Sequence, residues 1–380
     1  MKHLTPSPIN LISAEADRMK KSGIHVFNFS AGDPILNNHP TILEAAKQAL
    51  KEAISPYAPV AGLIELRSLA SEWMNRRYQT KYAVSETIVT CGGKFGLYSA
   101  LQILLEPGDE VLIAAPYWVS YPEMIRLASG VPCPIKTTER EHWKLTPESL
   151  KSHLTKKSKV LLLNNACNPT GALYSKDELA KLLHVASEAN LTVISDEVYS
   201  ELVFEGHSFV SCSSFPQHRS RTIVIESCSK NFAMAGWRVG FAFGPAEMIS
   251  NMIALQSQST TGTALISQKA AIGALLHADT VSSYVRQAMQ RSRKLFFDTW
   301  NRLFSTNVTP APSALYFFTK IQEEDSVAFC KQLLDSSHVA LVPGIGFGME
   351  KHVRFAFTDQ EDELLKGLEA LKKNTKQPYF

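Results

Sequence analysis

Residues 160–199 read VLLLNNACNPTGALYSKDELAKLLHVASEANLTVISDEVY, and this stretch decides the fold class. It begins with the continuous apolar run 160–163, which is typical of a strand buried on both faces. Ser175 and Glu178 stand at capping-box spacing, and leucines at helical spacing follow them. A second apolar run, 191–194, comes next. A strand, an amphipathic helix and another buried strand predict two parallel strands joined by a helix.

The same alternation extends along the chain on both sides. Apolar or β-branched runs occupy residues 87–90, 111–114 and 222–225, and Thr146-Pro147 has the composition of a helix start. Buried strands separated by amphipathic helices predict an α/β fold with a mostly parallel central sheet covered by helices. Ligands of such sheets bind beyond the carboxyl ends of the strands.

The two ends of the chain have a different pattern. Residues 41–51 and the segment after about residue 281 are mainly helical in pattern, with short strand-like runs at 315–318 and 353–356. We therefore predict a large ligand-binding domain formed by residues 45–280. Residues 1–44 and 281–380 would together form a smaller α+β domain.

Composition excludes several classes of protein. Lysine plus arginine (39) nearly balances aspartate plus glutamate (36), so the chain lacks the charge surplus of a nucleic-acid-binding protein. Its six cysteines form no Cys-x-x-Cys pair, which argues against a zinc site and a disulfide framework. The first residues lack the apolar core of a signal peptide, and no apolar run reaches membrane-spanning length. We predict a cytoplasmic protein without metal, nucleic-acid or membrane partners.

The segments that follow four of the predicted strands carry complementary polar groups. Each has an ordinary alternative, such as a tight turn, a helix cap or a solvent-exposed lysine. Together they match pyridoxal 5′-phosphate, which needs donors for its phosphate, an amine for its aldehyde, a carboxylate for its ring nitrogen and donors for its ring oxygen. These groups are the amides of residues 92–94, Asn168, Asp196 with Tyr199, and Lys230 with Arg238.

A series of short motifs carries a family resemblance. In order they are SAGDP at 30–34, YAPVAG at 57–62, GGK at 92–94, PYWVSY at 116–121, NPTG at 168–171, DEVY at 196–199, SCSK at 227–230, GWR at 236–238 and VR at 353–354. With them the chain resembles the class I/II aminotransferases of the fold type I pyridoxal-phosphate superfamily. Within that superfamily it is most similar to the bacterial aspartate aminotransferase subgroup. The resemblance extends from about residue 7 to residue 371.

This resemblance implies an aminotransferase that uses pyridoxal 5′-phosphate and acts on amino acids and 2-oxo acids. It implies that Lys230 forms a Schiff base with the cofactor and later moves the proton between substrate and cofactor. The other implied cofactor contacts are Asp196 at the ring nitrogen, Tyr199 and Asn168 at the ring oxygen, Trp118 on the ring face, and Gly93, Lys94, Ser227, Ser229 and Arg238 at the phosphate.

The resemblance also implies residues that bind the substrate and a second subunit. Tyr57 would reach the phosphate in the neighbouring subunit, which implies a homodimer with a shared active site. Arg354 would bind the substrate α-carboxylate, helped by Asn168, Trp118 and the Gly32 backbone. Arg354 lies in an apolar, strand-like run, where a charge is costly unless it is paired. A structural ion pair is the alternative to a ligand carboxylate.

Substrate choice depends on a second cation. Aspartate needs one for its distal carboxylate, and in the similar bacterial subgroup the lysine at the position of Lys94 makes that contact. The alternative for Lys94 is a solvated lysine at a helix start, where its charge is mildly unfavourable. Two departures weaken the match, because residues 4–7 (LTPS) contain no lysine and Ala166-Cys167 replace the usual Pro-Ser.

We predict transfer from aspartate to 2-oxoglutarate by ping-pong chemistry. An aromatic- or alanine-type aminotransferase and a C–S lyase of the same fold are the enzymatic alternatives. A non-catalytic regulator with an aminotransferase-like domain ranks last, because every chemical position is filled.

Overall fold

The computed structural model describes residues 8–52 and 56–374, and no helix within those ranges is long and apolar enough to cross a membrane. The helices there are α1 Pro8–Lys21, α2 Pro40–Lys51, α3 Ile64–Tyr78, α4 Gly93–Leu104, α5 Tyr121–Leu127, α6 Pro147–Ser152, α7 Lys176–Glu188, α8 Cys228–Asn231, α9 Ala246–Ser257, α10 Leu265–Leu275, α11 Ala278–Phe304, α12 Ser326–Ser337 and α13 Glu361–Asn374. The strands are β1 Phe27–Asn28, β2 Thr87–Thr90, β3 Glu110–Ala115, β4 Val131–Lys136, β5 Ser158–Asn164, β6 Thr192–Asp196, β7 Thr222–Ser227, β8 Gly240–Phe243, β9 Tyr316–Lys320, β10 Val339–Ala340, β11 Val342–Pro343 and β12 His352–Ala356.

A seven-stranded sheet forms the centre of the molecule. Its strand order is β2-β8-β7-β6-β5-β3-β4, and every neighbouring pair is parallel except the two pairs that involve β8. All five apolar runs predicted in the middle of the chain form strands of this sheet. The predicted α/β class with a mostly parallel sheet is confirmed.

Helices cover both faces of the sheet, which explains why its strands are apolar throughout. Side chains alternate between the faces of a strand. In β5, Val160 and Leu162 pack in one core with Leu97 of α4. Leu161 and Leu163 pack in the opposite core, against the leucines of α7. Because both faces of the sheet are buried under helices, the polar groups that could bind a ligand lie at the strand ends, where the site is found.

The predicted helix starts are also observed. Ser175 and Glu178 form the reciprocal capping box of α7, with Glu178 N donating to Ser175 Oγ at 3.3 Å and Ser175 N to Glu178 Oε2 at 2.7 Å. Thr146 caps α6, whose first residue is Pro147. Each cap fixes the residue at which its helix begins, and the helix then carries the chain back to the start of the next parallel strand.

Two strands of the sheet carry no clear sequence signal. β4 contains two prolines, which suits its position at the sheet edge, where one side needs no ladder hydrogen bonds. β8 is short, begins with glycine and runs antiparallel between β2 and β7. A Cβ on Gly240 would lie 2.5 Å from Gly93 N, so this glycine lets β8 approach the start of α4.

The chain ends form most of another hydrophobic core around α1, α11, α12 and a three-stranded antiparallel sheet of order β11-β12-β9. Ala166, Tyr199, Leu202 and Phe204 from the middle of the chain also belong to this core. The strand-like runs 315–318 and 353–356 correspond to β9 and β12, which pair with Arg354 opposite Phe318. The predicted domain boundaries at 44/45 and 280/281 fall within α2 and α11 respectively. The division into two domains stays a prediction.

Candidate active site

A cavity of about 530 Å³ lies beyond the carboxyl ends of the central strands. It is lined by every residue predicted for the cofactor or substrate except Tyr57. Those residues are Gly32, Gly93, Lys94, Trp118, Asn168, Asp196, Tyr199, Ser227, Ser229, Lys230, Arg238 and Arg354. They come from positions up to 322 residues apart (354 − 32), so the fold assembles one site from separate motifs.

Lys230 lies in the short helix α8, directly after β7, and its amine faces the cavity. Nζ donates to the Gly32 carbonyl at 3.1 Å and forms an ion pair with the Asp33 carboxylate. The Lys230 side chain is mostly buried, while that of Asp33 is more than half exposed. A primary amine is therefore held at the cavity wall by one backbone carbonyl and one solvent-facing carboxylate.

Asp196 ends β6 and is buried opposite a tyrosine that the sequence does not single out. Its Oδ2 accepts a hydrogen bond from the Tyr121 hydroxyl at 2.6 Å, and Oδ1 accepts from Val198 N at 3.4 Å. Burial raises the pKa of Asp196 to about 6, although both hydrogen bonds favour the ionised form. A buried carboxylate with a raised pKa is best stabilised by a cationic ligand group.

Asp196→Asn is expected to stabilise the ligand-free protein at alkaline pH. The folded-state pKa lies above the unfolded value, so Asp196 contributes most stability below about pH 4, and this contribution is lost as pH rises through about 6. At pH 8 the asparagine variant should therefore unfold with a free energy about 1–3 kcal/mol higher than wild type. Denaturant titrations at pH 5 and pH 8 measure the difference in unfolding free energy between variant and wild type, which should be smaller at pH 5.

The exposed Asp335 of α12 provides a matched control, because Asp335→Asn also exchanges a carboxylate for an amide. It should change the unfolding free energy little at either pH. If Asp196→Asn changes the unfolding free energy by the same amount at both pH values, titration of Asp196 is not the cause of the change.

Arg354 is buried in β12 and has two neutral hydrogen-bond partners. Its Nη1 donates to Asn168 Oδ1 at 3.1 Å and its Nη2 to the Ser30 carbonyl at 2.6 Å. Its Nε has no hydrogen-bond partner within the described ranges. Burial lowers the pKa of Arg354, and the guanidinium lies 4.4 Å from the centre of the Tyr316 ring. The alternative of a structural ion pair finds no support in these neutral contacts.

The start of α4 forms an anion cradle with residues after β7. Gly92 precedes α4 with φ +79°, and a Cβ there would lie 2.4 Å from Arg238 Nη2. Glycine thus permits both the backbone turn and the close approach of Arg238. Ser227 Oγ donates to Ser229 Oγ at 2.9 Å beside them. Backbone amides at a helix start, two hydroxyls and a guanidinium can together bind a phosphate group.

Lys94 and Trp118 lie together at the cavity wall. The Lys94 ammonium is 4.8 Å from the centre of a Trp118 ring, and Trp118 packs edge-on against Tyr121. Burial, followed by the charges of Arg238 and Lys230, lowers the pKa of Lys94. An anionic ligand would relieve this repulsion. The lysine-free segment 4–7 lies outside the described residues.

Tyr57 does not contribute to the cavity in this chain. It is 90% exposed and lines a surface groove with Thr261 and Gly262. An exposed tyrosine in such a groove is compatible with a role in a neighbouring subunit, but that role stays a prediction.

Three site residues have no role in the sequence analysis. Tyr121 holds Asp196, Asp33 pairs with Lys230, and Tyr316 bonds Tyr199 through their hydroxyls at 2.6 Å. Tyr121 and Asp33 stand inside motifs that signal the family, whereas Tyr316 stands in an ordinary apolar strand pattern. Within the described ranges, no cluster of three or more His, Cys, Asp or Glu side chains has the arrangement of a metal site.

Comparison with known sequences gives one consistent result. The family model for aminotransferase class I and II matches residues 24–371. The chain is 35% identical over 376 residues to the aspartate aminotransferase of Geobacillus stearothermophilus, covering 97% of this chain and 96% of that protein. It is 37% identical over 371 residues to the aspartate/prephenate aminotransferase of Thermus thermophilus, covering 96% and 95%.

Solved structures agree with the sequence comparisons. The aspartate aminotransferase of Thermus thermophilus with maleate superimposes with a TM-score of 0.92 at 34% identity, covering 98% of this chain and all of that one. The aromatic aminotransferase of Pyrococcus horikoshii superimposes with a TM-score of 0.88 at 30% identity, covering 94% and 98%. With this sheet, this cavity and matches over nearly its whole length, the chain belongs to the class I and II aminotransferase family.

Proposed function

We propose that this aminotransferase uses pyridoxal 5′-phosphate to transfer the amino group of aspartate to 2-oxoglutarate in a ping-pong cycle. The observation that carries the proposal is the buried guanidinium of Arg354, which faces the same cavity as the Lys230 amine and the Asp196 carboxylate. An amino acid carboxylate at Arg354 would place its α-amino group toward Lys230. Relatives named as aspartate aminotransferases support aspartate as the donor.

The residues present fit the cofactor at each of its polar groups. Lys230 would hold it covalently through Nζ, and the cradle of the Gly93 amide, Ser229 and Arg238 suits its phosphate. Asp196 would face the ring nitrogen, whose positive charge would offset the cost of burying this carboxylate. When bound, pyridoxal phosphate supplies an electron sink for the charge that develops when the substrate Cα loses its proton.

The protein itself provides orientation and proton transfer. Arg354 would bind the α-carboxylate through two parallel hydrogen bonds. Its hydrogen bonds to Asn168 and the Ser30 carbonyl fix the orientation of the guanidinium plane. The Lys230 amine, when it is not bonded to the cofactor, would take the proton from the substrate Cα and pass it to the cofactor. Trp118 would cover one face of the ring and exclude water from it.

Lys94 is the proposed partner of the distal carboxylate of aspartate. Lys94→Gln should lower kcat/KM for aspartate by about 10- to 100-fold, because a hydrogen bond to a charged group is lost. The matched control is alanine, which has no distal carboxylate and should lose much less activity with the same variant. Steady-state rates with both donors measure the difference. An equal loss of kcat/KM for both donors would show that Lys94 does not recognise the distal carboxylate.

A visible absorbance spectrum of the purified holoprotein tests the proposed function. Aspartate without an acceptor should remove the cofactor band and yield one equivalent of oxaloacetate, and 2-oxoglutarate should restore the band. Continuous release of pyruvate and ammonia from a cysteine-type substrate, without any acceptor, would instead identify a C–S lyase. An aromatic- or alanine-type donor preference would show as a faster loss of the band with those amino acids.

The cytoplasmic location and the homodimer belong to the same proposal. The exposed Tyr57 supports a dimer, since it does not line the cavity of its own chain. Sedimentation of the holoprotein measures the assembly, and a Tyr57→Phe variant that binds the cofactor as tightly as wild type would argue against a shared site.

A further inference from the structure

Tyr316 connects two parts of the site that are proposed to bind different molecules. It begins β9 and is almost completely buried. Its hydroxyl lies 2.6 Å from the hydroxyl of Tyr199, which faces the cofactor. Its ring centre lies 4.4 Å from the guanidinium carbon of Arg354, which faces the substrate carboxylate. One side chain therefore contacts both the cofactor end and the substrate end of the cavity.

The hydrogen bonds around Tyr316 define the direction of its proton. Besides Tyr199, its hydroxyl has the Gly32 carbonyl within 3.5 Å, which is long for an O–H···O bond. Either hydroxyl can donate in the short Tyr316–Tyr199 contact, and the long distance to the Gly32 carbonyl favours donation from Tyr316 to the Tyr199 oxygen. The proton of Tyr199 is then free to point into the cavity.

Nearby charges support the same direction. Arg354 lies over the Tyr316 ring and draws electron density from it, which strengthens the Tyr316 hydroxyl as a donor. Tyr316, Arg354 and Asp196 are the titratable and charged groups that act on Tyr199, while Lys230 and Asp33 meet beside Gly32. Burial, more than any neighbour, holds the pKa of Tyr199 well above its ordinary value, so Tyr199 keeps a proton to donate.

We propose that Tyr316 is a positioning residue that donates to Tyr199 and thereby makes Tyr199 a stronger, correctly directed donor to the ring oxygen of the cofactor. The inference rests on the proposed function and adds a residue to it. Because Tyr316 also contacts Arg354, it links the substrate carboxylate site to the acidity of the cofactor. The Tyr316 hydroxyl can occupy this position because residue 32 is glycine, since a Cβ there would lie 2.3 Å from that hydroxyl.

A pH titration of the visible band of the substrate-free holoprotein tests the proposal. Tyr316→Phe removes the hydroxyl and keeps the ring over Arg354. Without the polarising bond, Tyr199 should stabilise the negative ring oxygen less, so the bound cofactor should keep its titrating proton to higher pH. The midpoint should rise by about 0.5 to 1 pH unit. An unchanged or lower midpoint would overturn the proposal.

A double-variant cycle separates positioning from general packing. In a Tyr199→Phe background, adding Tyr316→Phe should leave the midpoint where Tyr199→Phe alone has put it. A further rise of the same size would show that Tyr316 acts without Tyr199 and would overturn the proposal. If the wild-type holoprotein shows no titrating visible band, the proposed function itself fails. If the wild-type band titrates and Tyr316→Phe leaves its midpoint unchanged, this inference alone fails.

Discussion

Lys230→Ala is expected to lower kcat/KM for amino transfer by at least about 10⁴-fold. A general acid–base group contributes about 10²- to 10⁴-fold, and Lys230 is proposed to serve as the covalent anchor of the cofactor as well. The other lysine that lines the cavity, Lys94, interacts with the Trp118 ring. Stopped-flow decay of the cofactor band after aspartate addition measures the loss directly.

Two further variants identify the chemistry that is lost. Lys230→Arg keeps a cation that can still pair with Asp33, yet it lacks a primary amine, so it should be as inactive as the alanine variant. Lys294→Ala, which removes an exposed lysine of α11, should retain normal activity. Turnover by Lys230→Ala at the wild-type rate would refute the proposed mechanism.

The sequence predicts the main site residues because the chemistry lies directly after buried strands. Asn168, Asp196 and Lys230 each follow an apolar run, and parallel strands bring their carboxyl ends to one edge. Their proximity therefore requires no knowledge of strand order. The capping box of Ser175 and Glu178 is equally local, so its hydrogen bonds could also be predicted.

Contacts between distant side chains could not be predicted in this way. Tyr121 and Asp196 are 75 positions apart, and they meet although β5 lies between β3 and β6 in the sheet. Tyr316 and Tyr199 are 117 positions apart: Tyr316 begins β9, whereas Tyr199 lies in the turn after β6 of the central sheet. Hydrophobic periodicity identifies strands but does not specify their order or the packing of one sheet beside another.

Arg354→Lys should lower kcat/KM for every amino donor by about 10²- to 10³-fold. The variant keeps a positive charge but loses the planar fork that Asn168 and the Ser30 carbonyl orient. Truncating one partner of a buried charge pair costs about 2–5 kcal/mol, which corresponds to losses of this order. Because the α-carboxylate is common to all amino acids, aspartate and alanine should be affected equally. A loss confined to aspartate would assign Arg354 to the distal carboxylate instead.

Stability measurements show whether Arg354 is present for the fold or for the ligand. Its pKa is lowered by burial and its hydrogen-bond acceptors are neutral, so the charge is a cost to the ligand-free protein. Replacing a buried charge with an apolar side chain of similar size is often neutral or stabilising by about 1–4 kcal/mol. Arg354→Met should therefore be at least as resistant to denaturant as wild type while being nearly inactive. A variant that is both inactive and strongly destabilised would indicate a structural role, because a guanidinium needed for packing cannot be removed without loss of stability.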